Sequence, residues 1–486
     1  MNIYCYPTRL IQIICMVFSI HISPTLIPAQ SLDQLIQIAH GHSPENDISA
    51  SRLLNAQFQH QVYRASLRPN ISFDATLPNL LRSISSVTTD DGREIFINRS
   101  LLTNSLDLSL NYNIRKTGGS IFARTGLKRL DVLSTPTSRS YYATPISIGI
   151  IQPLSRYNPF TWEDKKAPLQ LSIAEKKYYQ EKENISQAIV NAYFDLMMAQ
   201  IDAKFADDRL HQNTELLSIA NQRFHRGLIG REEILQLEIN VNTNQSALAS
   251  ARLAIELNND KLNSVLGNQK TISYQMDIIE FQDLSIEDSL ALRMFRAHHP
   301  LYEEINYSEI EAMQELVAAK AEGRKVDLIA QVGFSQTDAQ LPAAYSNLDD
   351  QELFRLGISM PITDWGLSKA RVQTATVNCE LVLKTNAWNI IEEERNLLST
   401  IKQFHLLKQQ LNLLQLSLDL AQEHVGLSRE RYLKGSATIN DYNLALNNET
   451  QQRNLYYQSL RDYWTTYYQI RGQCLYDFKN QSVIQY

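Results

Sequence analysis

The sequence predicts an α+β chain made of two copies of one unit, in which amphipathic strands feed long helical hairpins. Three observations carry this: a scarcity of turn residues, a repeat at constant offset, and two hydrophobic periods that alternate along the chain. Glycine (16) and proline (14) are few among 486 residues, about half of average usage. Turn-rich β-sandwiches and wholly parallel α/β enzymes need more of both, whereas long helices need fewer. A hydrophobic content of 44% and a mean hydropathy of −0.28 exclude a polytopic helical membrane protein, which needs several apolar spans of ~20 residues. The same composition excludes wholesale disorder. The 46 basic and 52 acidic residues leave a net charge of −6. No Lys/Arg-rich run supplies a phosphate-binding footprint, so no nucleic-acid partner is expected.

The N-terminus reads as a leader. Residues 10–22, LIQIICMVFSIHI, form an apolar run behind Arg9. The run is too short to span a bilayer and fits a signal-peptide core, with Ile27-Pro28-Ala29 at a plausible cleavage point. Export is therefore expected, with residues 1–29 removed. Of the four cysteines, Cys5 and Cys15 lie in this leader, and Cys379 and Cys474 stand far apart on helical segments without C-x-x-C spacing. A disulfide framework and a zinc site are both disfavoured.

The repeat emerges when the chain is compared with itself. Gly149-Ile150-Ile151-Gln152-Pro153 recurs as Gly357-Ile358-Ser359-Met360-Pro361, and Arg223-Phe224-His225-Arg226-Gly227 as Arg431-Tyr432-Leu433-Lys434-Gly435, each 208 residues on. Upstream, Ser31-Leu32 with Pro44 echoes Ser285-Ile286 with Pro300 at offsets of 254 and 256. The first copy thus holds roughly fifty extra residues. The expected organisation is a first copy at 30–267 with a long insertion at 78–144, a linker at 268–284, a second copy at 285–472 and a tail at 473–486.

Within each copy the strand segments alternate with period 2, so that one face is apolar. Ile71, Phe73, Ala75 and Leu77 form one stripe; Leu106, Leu108, Leu110, Tyr112 and Ile114 another; and Ile146, Ile148 and Ile150 a third. The second copy supplies Leu328, Ala330, Val332 and Phe334, then Phe354, Leu356, Ile358 and Met360. A half-buried globular sheet gives this pattern, and so does a transmembrane β-barrel strand. An additional hairpin pattern covers residues 105–129 and turns at Thr117-Gly118-Gly119; alternation alone leaves its placement open.

The helical segments favour the barrel. Residues 162–224 contain no glycine and only Pro168. Ile185, Ile189, Ala192, Leu196, Ala199, Ala203, Ala206 and Leu210 are spaced alternately four and three apart, a heptad seam. Leu237 to Val265 repeats that spacing, as does Leu397 to Val425. A helix of about 60 residues is ~90 Å long. It must project, and its partner must be another helix. The hairpins turn at 227–230 and 435–438.

With these features in order, the chain resembles the TolC family of outer-membrane efflux channels over essentially its whole mature length. The residues that carry the resemblance are the Ser31-Leu32-Asp33 helix start, the Leu67-Arg68-Pro69 exit into a strand, the duplication, and the two arginine–aromatic–x–x–glycine turns. The resemblance implies an α+β membrane protein: a homotrimer in which four strands per protomer close a 12-stranded transmembrane β-barrel, continued by a long periplasmic α-helical coiled-coil barrel. It implies a passive conduit of a tripartite efflux or type I secretion system in the outer membrane of a Gram-negative bacterium. Its partners would be outer-membrane lipid, a periplasmic adaptor (membrane fusion) protein and an inner-membrane RND, ABC or MFS transporter.

The resemblance also implies site residues. The tips Gly227, Leu228, Gly230, Gly435, Ser436, Ala437 and Thr438 would meet the adaptor. Asp441, six residues after the second turn glycine, would form an acidic ring at the periplasmic gate. Leu444 stands where a second acidic ring often lies, which puts strong cation selectivity in doubt. Glu233 and Tyr432 would form a latch that holds the tip closed. The strand-to-helix corner is Asp364-Trp365-Gly366 in the second copy but Tyr157-Asn158-Pro159-Phe160 followed by Trp162 in the first, a departure from the family's small, glycine-rich corner.

Other candidates read as structural. His40-Gly41-His42 and His298-His299 end short helices beside prolines and lack Cys or clustered carboxylate partners, so solvated helix-end histidines are expected rather than metal ligands. Met197-Met198 reads as core. Gly118-Gly119-Ser120 lacks the ending of a phosphate loop. No catalytic arrangement and no cofactor are expected. The rival reading is a periplasmic or surface coiled-coil scaffold without a pore.

One consequence is testable directly. Too few strands are present in one chain to close a barrel, and hydrocarbon does not tolerate open strand edges. Closure must therefore come from several chains, three if the resemblance holds, and native mass in detergent should show it; a stable monomeric particle would refute closure between chains.

Overall fold

The computed structural model describes residues 31–88, 91–154, 157–322 and 325–484; the expected leader lies outside them. Two helices, α1 (Leu32–His42) and α2 (Pro44–Ser66), precede four strands, β1 (Asn70–Thr88), β2 (Glu94–Ile114), β3 (Gly119–Val132) and β4 (Ser138–Pro153). Then come α3 (Pro159–His225), α4 (Arg231–Leu266), α5 (Asp288–His298) and α6 (Leu301–Glu322). The chain continues with β5 (Lys325–Asp338), β6 (Asp349–Ser359), α7 (Leu367–Leu433) and α8 (Ile439–Cys474). A small ribbon of β7 (Tyr476–Asp477) and β8 (Ser482–Val483) closes the chain. Helices α3 and α7 each have 67 residues, and α4 and α8 each have 36. Both ends of α7 and α8 fall 208 positions after those of α3 and α4, the offset of the motif pairs. Among the described residues no helix is long and apolar enough to cross a membrane.

The chain divides into two compact units, each drawn from three stretches of sequence. One comprises Met1–Pro44, Ile185–Gln282 and Gln410–Thr465. Here α1 starts with a capping box: the Ser31 hydroxyl accepts from Gln34 N–H at 3.4 Å, and Ser31 N–H donates to the Gln34 side chain at 3.1 Å. The seam read from the sequence is the core. Ile185, Ile189, Ala192 and Leu196 of α3 are buried, as are Leu237, Leu248 and Leu262 of α4 and Leu411, Leu418 and Ala421 of α7. Met197 is buried with them.

Arg453 on α8 is only 4% exposed; it pairs with Asp202 at 3.2 Å and lies 3.8 Å over the Phe205 ring. Arg209 pairs with the buried Glu449 at 2.9 Å. Arg453 and Glu449 are buried but partnered, which is the condition for tolerating them. The expected linker is an ordered strap: Gln200 binds Tyr274 C=O at 2.7 Å and Met276 N–H at 3.0 Å, and Asn263 donates to Ile272 C=O at 2.8 Å.

The other unit comprises Glu45–Asn184, Asp283–Gln409 and Thr466–Tyr486. It holds one antiparallel sheet in the order β1-β2-β3-β4-β5-β6. The sheet therefore has two strands more than the four membrane strands per protomer that the resemblance implies. The hairpin whose placement the alternation left open becomes β2 and β3, inserted between β1 and β4. The physical reason is that residues 94–114 and 119–132 pair along their whole length, Leu101 opposite Val132 through Ile114 opposite Gly119. The C-terminal tail is also ordered, with Tyr476, Phe478 and Ile484 buried and the Asp477 carboxylate accepting from Tyr467 and from Asn480.

The histidine pairs have structural partners. His40 Nε2 lies 2.9 Å from Ser186 Oγ. His299 Nδ1 accepts from Leu301 N–H at 3.1 Å, which caps α6, while its ring stacks on Phe295 at 4.5 Å. Cys379 and Cys474 are free and buried.

Burial pushes the His299 imidazole down to about 4, so the folded chain keeps it neutral where an unfolded chain would protonate it near 6.5. A depressed histidine means that the unfolded state binds more protons between those values, so stability rises with pH there. Relative to His299→Gln, the wild type should lose stability as pH falls from 6.5 towards 4, with a slope approaching one proton. Urea midpoints for the two proteins that run parallel through that window would refute the assignment.

Candidate functional site at the helical tips

The two hairpin turns explain the repeated arginine–aromatic–x–x–glycine motif. At the end of α3, Leu228 N–H reaches back to Arg223 C=O at 3.0 Å and Gly227 N–H to Phe224 C=O at 2.8 Å. At the end of α7, Ser436 N–H reaches Arg431 C=O at 2.9 Å and Gly435 N–H reaches Tyr432 C=O at 2.9 Å. This is the Schellman pattern, which satisfies the last carbonyls of a helix and needs a left-handed residue after it. Gly227 and Gly435 supply it with φ of 71° and 76°.

The next helix starts differently in each copy. Helix α4 begins at Gly230 without a side-chain cap. Helix α8 begins with a reciprocal cap: Thr438 N–H and Oγ1–H both donate to the Asp441 carboxylate at 2.9 Å, and Asp441 N–H donates to Thr438 Oγ1 at 3.2 Å. That hydrogen bonding, led by the Thr438 N–H, holds the Asp441 carboxyl below the usual aspartate value. Asp441 therefore has a structural role that the sequence reading did not assign, although Thr438-x-x-Asp441 is a capping signature. Leu444 is exposed.

Behind the turns the hairpins share an apolar cluster. Leu216 and Ala220 of α3, Ile234 and Leu237 of α4, Tyr432 of α7, and Ile439, Tyr442 and Leu446 of α8 are buried together. In front of it lies a cavity of ≈ 630 Å³ lined by Arg223, Glu233, Tyr432, Gly230, Gly435 and Thr438 among others. Glu233 and Tyr432 are brought together. Burial first, and then a hydrogen bond to Glu233, raise the Tyr432 phenol well above its ordinary value, so it stays a neutral donor.

Arg223 adds a contact that the sequence reading missed. Its guanidinium crosses from α3 to the end of α7 and donates to Leu433 C=O at 2.6 Å and Tyr432 C=O at 3.5 Å. The only available signal was the arginine at the head of each turn motif. Nearby, Asn240 of α4 donates to Asn443 of α8 at 2.9 Å and Tyr442 donates to Gln212 at 3.0 Å. The arrangement offers hydrogen bonds between helix ends and no nucleophile positioned beside a base.

Comparison with known proteins follows the same lines. Residues 92–268 match the family of outer membrane efflux proteins. The fold is similar to CusC, described as forming a transmembrane channel, with a TM-score of 0.66, 13% identity and 93% of each chain covered. It is similar to the outer membrane protein VceC of Vibrio cholerae, with a TM-score of 0.65, 15% identity, and 93% of this chain and 97% of that one covered. It is also similar to the CmeC outer membrane channel of Campylobacter jejuni, with a TM-score of 0.65, 15% identity, and 94% and 87% covered. No curated protein sequence matches the chain. Residues 92–268 thus match the outer membrane efflux protein family, and the solved structures show that the chain shares the fold of these outer-membrane channels, as the resemblance implies.

The tip glycines can be separated into turn and surface roles. A Cβ at Gly227, Gly230 or Gly435 would meet nothing within 4 Å. Gly227→Ala or Gly435→Ala should cost only the left-handed strain, about 1–2 kcal/mol, and leave export intact. Gly227→Trp or Gly435→Trp adds bulk that points outward, so it should abolish export while the assembled protein stays in the membrane fraction. Normal export by both tryptophan variants would leave these glycines with the turn alone.

Proposed function

We propose that three copies of this chain form a passive outer-membrane conduit of a tripartite efflux or type I secretion system. The reading is supported above all by one combination. A single chain carries a sheet with an exposed apolar face and paired helical hairpins whose tips have bare, glycine-turned surfaces. The apolar face suits outer-membrane lipid. The tips suit a periplasmic adaptor, which would connect the conduit to an inner-membrane RND, ABC or MFS transporter. The chemistry is transport without catalysis, and substrate choice falls to the adaptor and pump.

In this reading the tips are also the gate. Arg223 and Glu233 meet the end of α7 through its carbonyls and the Tyr432 phenol. A hydrogen bond to a charged partner contributes ~1.5–3 kcal/mol, and threefold repetition multiplies the bias towards a closed tip. Asp441 from three chains would surround one axis and focus negative potential there. The rival scaffold without a pore has no use for either feature.

Planar-bilayer recordings test the reading. The purified wild type should conduct, and Tyr432→Phe should raise the conductance by removing one hydrogen bond per chain. Asp441→Asn should weaken divalent-cation block; it is a cleaner probe than Asp441→Ala, because the amide keeps an acceptor for Thr438. A protein that conducts no ions and fractionates with soluble periplasmic contents would return the chain to the scaffold reading. Conducting variants indistinguishable from wild type would remove only the gate.

A further inference from the structure

The β2–β3 hairpin is built into the sheet from end to end. One register row runs Ile71, Leu110, Ala123, Ile148 and Val332 across β1 to β5. The next row runs Ser72, Ser109, Arg124, Ser147, Gly333 and Gln351 across all six strands. The sheet thus has one apolar and one polar face, and the hairpin keeps to both. Ile71, Leu110, Ile148 and Val332 are all exposed, so none of the described residues covers the apolar face at these positions. On β6 the band shifts along the strand to Phe354, Leu356 and Ile358, beyond Glu352, which stands opposite Val332. A level band on tilted barrel strands crosses the register in this way.

The lower end of the hairpin is anchored where strands meet helices. The Asn158 amide donates to Arg115 C=O at 2.7 Å, Gln152 donates to Thr117 C=O at 2.9 Å, and Arg115 pairs with Asp164 of α3. On the polar face the buried Phe122 ring fills the space at Gly149 that a Cβ would need. The hairpin turn therefore sits at the helix junction, and its strands run alongside β1 and β4 rather than as a separate flap.

Resting on the conduit reading above, we infer that β2 and β3 belong to the barrel wall. Three six-stranded sheets then close 18 strands instead of 12, an even number compatible with antiparallel closure. The occupant of each open edge is a second copy of this chain: β1 and β6 are the two edges of the sheet, they run antiparallel, and their unpaired backbone groups need partners in hydrocarbon. Barrel diameter grows roughly linearly with strand number. The lumen is therefore about half again as wide as that of a 12-stranded barrel, with roughly twice the cross-section, and admits correspondingly bulkier cargo.

Single cysteines report which strands face lipid, since Cys379 and Cys474 are buried. Leu108→Cys and Ala123→Cys test the hairpin's apolar face, Ser109→Cys its polar face, and Ile148→Cys and Val332→Cys the strands shared by either barrel. Each full-length variant, checked for native mass, carries an environment-sensitive fluorophore in phosphatidylcholine vesicles with doxyl groups on the acyl chains. Strong quenching at 108, 123, 148 and 332, with none at 109, is the expected result. Quenching at 148 and 332 but not at 108 and 123 would put the hairpin outside the wall and overturn the 18-stranded barrel. No quenching at any of the four would remove the membrane conduit itself, and this inference with it.

Discussion

A helix of 67 residues with a narrow apolar stripe can bury that stripe only against other helices, and the rest of the chain is arranged around this demand. The scarcity of glycine and proline keeps α3 and α7 unbroken. The heptad spacing keeps their stripe on one side for the whole length. A second helix must then return along the first, which places a tight turn at each far end, and only a left-handed residue closes such a turn. The four helix ends gather into one apolar cluster around Tyr432 and Tyr442. Polar groups enter the seam only when partnered, as Arg453 is by Asp202 and Glu449.

Much of this was legible in the sequence because the signals are periodic and repeated. Heptad spacing located both hairpins, and the common offset of 208 placed the two turns and the Gly149 and Gly357 strands in register. The strand stripes were equally plain. What alternation cannot show is which strand lies next to which: period 2 fixes the face of Leu108 but says nothing about whether its neighbour is Phe73 or Thr125. It has both, and so the sheet holds six strands.

The tip was legible in part. The closeness of Glu233 and Tyr432 came from the resemblance, and the structure brings the two together. Thr438 and Asp441 could have been read as a cap from their three-residue spacing, but the resemblance drew attention to the charge of Asp441 alone. His299 was read as a solvated helix-end residue. It is held neutral by burial and serves as an acceptor for the next helix, because the proline after it ends one helix just where another starts.

The position of Arg223 shows why the ends of these hairpins are coupled. A helix leaves its final carbonyls without intrahelical partners, and the macrodipole makes that end negative. At the end of α7 the Schellman bonds use some of these acceptors, and the Arg223 guanidinium from α3 takes those of Tyr432 and Leu433. One side chain thus completes the cap of another hairpin. Drawing the end of α7 away from α3 would expose those carbonyls and strand a cation, whereas the apolar cluster behind them resists only in proportion to the area uncovered. The polar bonds are short-ranged and are lost within an ångström or two; the apolar contacts fade gradually. A tip held by both resists separation with a threshold from the first and a restoring tendency from the second, so a few hydrogen bonds can fix how the helix ends meet where the helices behind them are held by apolar seams.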